Sequence, residues 1–200
     1  MMRAVAILLL AMTAAGGAAA QDATKQPYAG QEKRAVTMLS PADIAQIEAG
    51  AGWGLAKSAE LNGYPGPAHV LELADKLEIT AAQRENVTAI FQKMQAAAIE
   101  TGKNYISAEA RVDAVFRSGE ATAAAVANAV AEAAQWRGQL RLVHLNAHLE
   151  TTKVLSEEQR RRYDHLRGYA GGDPDTKQGH HGHGGHGGHG GHGMPHGRAH

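Results

Sequence analysis

Apolar side chains recur at helical spacing through the middle of the chain. Between residues 80 and 117 they fall at steps of three, four and seven, which is the period of one helix face. These positions are Val87, Phe91, Met94, Ala98, Tyr105, Val112 and Phe116. Ser118-Gly119 interrupts the pattern, and a second long segment covers residues 122–154. Two long helices joined by a short turn predict an all-α fold built on an antiparallel helical hairpin.

The second long helix is apolar on two sides near its end. The two stripes are Leu140, Val143 and Ala147 and, almost opposite, Leu142, Leu145 and Leu149. A helix that is apolar on both sides must bury both. One stripe is therefore expected to face the other long helix and the second to face another copy of the chain, which predicts a homodimer.

Short helices are predicted on both sides of the hairpin. Ser40 is a favourable N-cap followed by proline at the first helical position, so a helix begins there. The glycines around Trp53 predict a break or a close helix crossing. A turn rich in glycine and proline at residues 62–67 precedes a helix predicted at residues 69–77.

A last helix is predicted from residue 156 to about residue 169. Tyr163 and Leu166 are expected to face inward, and the arginines at residues 160–162 to face outward. We interpret the arginines as a solvated face, with attraction of acidic unfolded proteins as the alternative.

Two similar motifs open predicted helices. Leu155-Ser156-Glu157-Glu158-Gln159 is a capping box, in which the serine hydroxyl and the glutamine side chain each satisfy a backbone N–H. Ile79-Thr80-Ala81-Ala82-Gln83 is a weaker copy. The pair resembles the LTxxQ repeats of the Spy/CpxP family of periplasmic stress proteins, and the likeness covers roughly residues 39–169. Ile79 replaces leucine in the first copy and Ser156 replaces threonine in the second.

The resemblance implies both a fold and a function. Spy-like chains form a long helical hairpin, pair as antiparallel dimers and present a concave, cradle-shaped surface. The family includes refolding chaperones, the zinc-resistance-associated protein and CnrX-type heavy-metal sensors. We therefore expect a periplasmic, ATP-independent chaperone for unfolded proteins, a heavy-metal buffer, or both. The alternative is a metal-sensing domain that signals to a membrane partner.

His144 and His148 are the candidate metal ligands within the helical domain. They are four positions apart, so on a helix they lie on one face and can hold one divalent ion. The alternative is that they only border a helix interface. CnrX-type sensors resemble this chain in the placement of such a pair, and they add a histidine pair and a carboxylate from the first helix.

The first helix of this chain has no histidine, so the pair needs other ligands. The candidates are Glu60, His69 and Glu48, or residues of a symmetry-related chain. Two imidazoles alone form an incomplete site for zinc, which usually takes four ligands.

The two ends of the chain differ from the helical domain at residues 39–169. Residues 1–20 have a basic start, an apolar run and a small-residue cleavage site, which predict an export signal. Residues 21–38 are expected to form a flexible arm. Residues 170–200 are rich in glycine and histidine and have almost no apolar content, which predicts a disordered tail.

The tail is a second candidate for metal binding. Its histidines are His180, His181, His183, His186, His189, His192, His196 and His200. At neutral pH most imidazoles are unprotonated and can bind zinc, nickel or copper. A divalent metal is therefore expected in the tail, with weak selectivity. The alternatives are a purification tag and a solubility tail. Such a metal is not expected to be essential for folding.

Composition narrows the possible chemistry. The chain has no cysteine, so metal ligands must come from histidine, carboxylates or methionine. Twenty basic residues balance twenty acidic ones, which argues against nucleic-acid binding. The glycine-rich run near Trp53 has no strand before it and no Lys-Ser/Thr after it, so it is not a nucleotide-binding phosphate loop. No nucleophile–base arrangement stands out, and we expect no enzymatic activity.

Overall fold

The computed structural model describes residues 26–169, which form six α-helices and no β-strand. The helices are α1 (Pro41–Glu48), α2 (Lys57–Glu60), α3 (Pro67–Glu72), α4 (Ala81–Arg117), α5 (Ala123–Val154) and α6 (Glu157–Leu166). The all-α prediction is confirmed. The predicted export signal and histidine-rich tail lie outside the described residues. None of the helices in the described range is long and apolar enough to cross a membrane.

The predicted hairpin is confirmed by α4 and α5, which pack against each other along their length. α4 has 37 residues, so it is about 55 Å long. Most of its apolar stripe is buried, including Val87, Met94 and Tyr105. Phe116 was expected in the same stripe, but its side chain is 60% exposed, because it lies in the last turn of α4, next to the turn that connects α4 to α5.

A close crossing joins α1 to the middle of the hairpin. Ile47 of α1 is buried against Gly102 of α4. A Cβ atom at position 102 would lie only 2.5 Å from Ile47 Cγ2. Gly102 therefore allows the two backbones to approach, and α4 continues through it as one helix.

The short helices differ from their predicted bounds. The helix predicted at residues 69–77 is α3, which begins at Pro67 and ends at Glu72. Proline suits the first helical position because its missing N–H would have no helical partner. Glu78 has a positive φ of 52°. A right-handed helix cannot continue through a residue in this left-handed conformation.

The last helix ends at Leu166 rather than near residue 169. Tyr163 is fully buried as predicted, but the inward prediction for Leu166 was wrong, since its side chain is 36% exposed. Arg161 and Arg162 face outward as predicted, whereas Arg160 is half-buried. α6 has ten residues, and Tyr163 is its residue in the buried cluster with Val70, Leu77, Val87 and Leu155.

The outer stripe of α5 remains uncovered by the described chain. Leu142 is 50% exposed and Leu149 is 47% exposed, while Leu145 is half-buried. The opposite side of α5 is buried against α4 and the short helices at Leu140 and Ala147. The two-sided pattern is thus real, and the predicted partner for the outer stripe stays a prediction.

Candidate metal centre

His144 and His148 lie one turn apart in the buried part of α5. His144 is 2% exposed and His148 is 9% exposed, so both rings are buried. His144 Nε2 is buried and has no hydrogen-bond partner among the described residues. Burial, and then the neighbouring His148, lower the pKa of His144. The ring is therefore neutral at physiological pH, the form that binds metals.

A single hydrogen bond fixes the orientation of His148. Its Nδ1 atom lies 2.7 Å from the carbonyl oxygen of Tyr64. A carbonyl only accepts, so Nδ1 carries the hydrogen and Nε2 keeps its lone pair. Metal-binding histidines are commonly oriented in this way by a carbonyl behind the ring.

The turn at residues 62–67 packs directly on the His148 ring. A Cβ atom at Gly66 would lie 2.8 Å from His148 Cε1 and 2.9 Å from Nε2. Only glycine allows this approach without displacing the ring. The turn therefore supplies both the hydrogen-bond acceptor and the flat contact that hold His148.

Glu60 lies on the hydrogen-bearing side of His148. Its Oε2 atom is 3.8 Å from His148 Nδ1, and its Oε1 accepts a hydrogen bond of 2.5 Å from the Tyr163 hydroxyl. Tyr169 and Arg167 approach the same Oε1 atom at 3.3 Å. In this arrangement Glu60 supports the ring from behind and does not face its free nitrogen.

Burial raises the pKa of Tyr163 well above its ordinary range, and the hydrogen bond to Glu60 adds to that effect. Tyr163 therefore remains a hydrogen-bond donor throughout the physiological range. It ties α6 to α2 through one buried contact, next to the histidine pair.

The other predicted ligands lie apart from the pair. His69 Nδ1 is 2.8 Å from Glu72 Oε2 at the surface of α3, and Glu48 is exposed at the end of α1. Between residues 26 and 169 no group of three or more histidine or acidic side chains is arranged to hold a metal ion. His144 and His148 thus offer two nitrogen ligands, and the tail histidines lie outside the described residues.

Sequence reasoning missed the residues that support the pair. Tyr64 acts through its backbone carbonyl oxygen, which every residue type has, so its side chain gives no signal. Tyr163 was predicted to be inward but not to bind Glu60. The proline–glycine–proline run at residues 65–67 was the available signal, because a rigid turn with glycine at its centre suits a close contact.

Comparison with known families adds independent information. Residues 49–162 match the family model described as heavy-metal resistance. The chain belongs to this heavy-metal resistance family. The family covers Spy/CpxP-like proteins, so the membership predicted from the two capping-box motifs is confirmed. No curated protein and no solved structure matches the chain.

Proposed function

We propose that this member of the heavy-metal resistance family is a periplasmic stress protein that buffers divalent zinc, nickel or copper. The observation that carries the proposal is the buried Nε2 of His144, which has no hydrogen-bond partner between residues 26 and 169 and lies one helical turn from a His148 ring oriented by Tyr64. A buried polar atom without a partner is costly, and an absent ion is one of its ordinary explanations.

The histidine pair supplies two of the ligands that a zinc ion requires. The remaining positions would be taken by water, by tail histidines or by residues of a second copy. Glu60 would act behind His148, where a negative charge strengthens the imidazole as a ligand. The tail at residues 170–200 would collect metal with lower selectivity.

Chaperone activity is the second part of the proposal, and an exposed apolar groove supports it. The groove has a volume of about 950 Å³ and lies between the N-terminal arm and the hairpin. Its exposed apolar side chains include Tyr28, Met38, Phe116 and Val130. Such a surface suits extended apolar segments of unfolded proteins, which it would hold without ATP. Pairing of two copies through the outer stripe of α5 would enlarge this surface.

A metal sensor remains the alternative, and one contact favours it. Glu60 lies between His148 and Tyr163 of α6, so a shift of His148 on metal binding would change the position of α6. In that case a membrane partner would respond to the position of α6.

Calorimetric titration with zinc and nickel tests the buffer. The chain lacking residues 173–200 should lose most of the bound metal and retain one weaker class of site. His144→Ala combined with His148→Ala in that shortened chain should abolish the remaining class. His165→Ala is the matched control, since His165 is exposed on α6. Equal stoichiometry with and without the tail would contradict tail binding, and unchanged residual binding in the double variant would contradict the helical site.

An aggregation assay tests the chaperone. The full mature chain should suppress aggregation of a denatured reporter protein without ATP. Phe116→Ser combined with Met38→Ser should weaken that suppression while leaving metal stoichiometry unchanged. No suppression by the unaltered chain, with or without zinc, would favour the sensor.

A further inference from the structure

A second groove lies between α5 and the loop that precedes α2. It has a volume of about 370 Å³ and is lined on one side by Trp53, Lys57 and Ser58 and on the other by Arg137 and Arg141. Three cationic side chains therefore converge on one small cavity. None of its lining residues carries a carboxylate.

The three cations have no acidic partner within the described residues. Neither Lys57, Arg137 nor Arg141 forms an ion pair there, whereas other arginines of the domain, such as Arg84 and Arg111, do. Asp43 Oδ1 accepts a hydrogen bond of 2.8 Å from Trp53 Nε1. Its effect is to fix the indole ring.

Two contacts orient the arginines. The Arg137 guanidinium lies 5.9 Å above the centre of the Trp53 ring, a cation–π arrangement. Arg141 Nη2 donates to Ser58 Oγ at 3.4 Å. A planar guanidinium that is held in this way keeps further N–H groups free for a ligand.

The groove is built at a cost to the fold. Arg137 and Arg141 are one turn apart on α5, where like charges repel each other. Trp53 has a φ of 43°, a left-handed conformation that is unfavourable for a bulky side chain. Strain and unpaired charge that coincide at one cavity are characteristic of binding sites.

We propose that this groove binds a small multivalent oxyanion through Arg137 and Arg141, with Lys57 as a third cationic contact. Phosphate is the simplest such ligand, and a small dicarboxylate presents the same chemistry. Guanidinium groups bind both through paired N–H···O contacts. The site is separate from the histidine pair and adds an anion-binding function to the proposed metal buffer.

The test is titration of the full mature chain with inorganic phosphate and, separately, with succinate. A chelator removes bound metal, fixed ionic strength removes general salt effects, and about pH 8 keeps the histidines neutral. A Trp136→Phe background leaves Trp53 as the fluorescent reporter. We expect saturable binding of at least one anion, and the tighter one identifies the preferred group.

Arg137→Gln combined with Arg141→Gln should weaken that binding by about tenfold or more, since each removes a charge-assisted contact. The matched control is Arg161→Gln combined with Arg162→Gln, which removes the same charge from exposed positions of α6. The control should change the affinity less than about twofold, because Arg161 and Arg162 lie outside the groove and pair with Glu157 and Glu78. Lys57→Gln should give an intermediate loss. Absence of saturable binding in the unaltered chain, or equal losses in the two double variants, would overturn the proposal.

Discussion

The side-chain amides of Gln83 and Gln159 hydrogen-bond to each other in both directions, at 2.9 Å and 3.1 Å. Each glutamine also accepts from the backbone N–H of its own N-cap residue, Thr80 or Ser156, at 2.9 Å. The two capping boxes therefore do more than start two helices. They join the beginning of α4 to the beginning of α6, and Gln83 adds a bond of 2.9 Å to the carbonyl of Val154 at the end of α5.

This glutamine pair should be energetically coupled. We expect Gln83→Ala and Gln159→Ala each to lower the free energy of unfolding by about 1–2 kcal/mol, since each loses a cap and a partly buried hydrogen bond. In a double-mutant cycle the two changes should be less than additive by about 0.5–1.5 kcal/mol. Urea denaturation measures all three values. Gln92→Ala, at an exposed position of α4, is the control and should be near neutral; strict additivity would mean that the amide pair contributes nothing.

The Tyr163 hydroxyl should contribute to stability through Glu60. Tyr163→Phe keeps the ring but removes the 2.5 Å bond to a buried carboxylate, and we expect a loss of about 1.5–3 kcal/mol. The same substitution at Tyr28, which is 77% exposed, should have almost no effect. Because the pKa of Tyr163 is raised in the folded state, its contribution should disappear as the pH rises above about 10, where the unfolded tyrosine ionises. A loss no larger than that of Tyr28→Phe would show that Glu60 does not depend on this hydroxyl.

His144 should make the metal-free protein sensitive to acid. Its pKa is lowered from 6.5 in the folded state, so below that pH the unfolded chain binds more protons and stability falls. Urea midpoints measured in the presence of a chelator should fall between about pH 7.5 and pH 5.5, and His144→Leu should reduce that fall. His165→Leu is the matched control, because it removes an imidazole from an exposed position of α6. An identical pH slope in the His144→Leu variant would contradict the predicted titration.

Gly66 should be required for the position of the His148 ring. Gly66→Ala places a methyl group within 2.9 Å of His148 Nε2, so the ring must move. We expect a loss of about 1–3 kcal/mol in stability from overpacking, and weaker zinc binding by the chain that lacks the tail. Gly52→Ala is the matched control, because a methyl group there meets nothing within 4 Å. If both variants behave alike in stability and zinc binding, the turn does not position the ring.

The sequence predicted the fold well where one signal acts over many residues. The apolar stripe of α4 and the two capping boxes were enough to give the hairpin and the start of α6, because helical period and cap chemistry are local. The same reasoning misplaced Phe116 and Leu166. Whether an apolar residue at the end of a helix is covered depends on what packs beside it, and no local pattern contains that information.

The candidate metal centre shows the same division. The spacing of His144 and His148 by itself determined that the two rings share one face of α5, since four positions make about one helical turn. Only the tertiary structure decided that this face is buried, that the Tyr64 carbonyl leaves Nε2 of His148 as the free nitrogen, and that Glu60 lies behind that ring. These contacts join distant segments of the chain: Tyr64 and His148 are 84 positions apart. Packing between distant segments brings them together, because burial and hydrogen bonding act through space and not along the sequence.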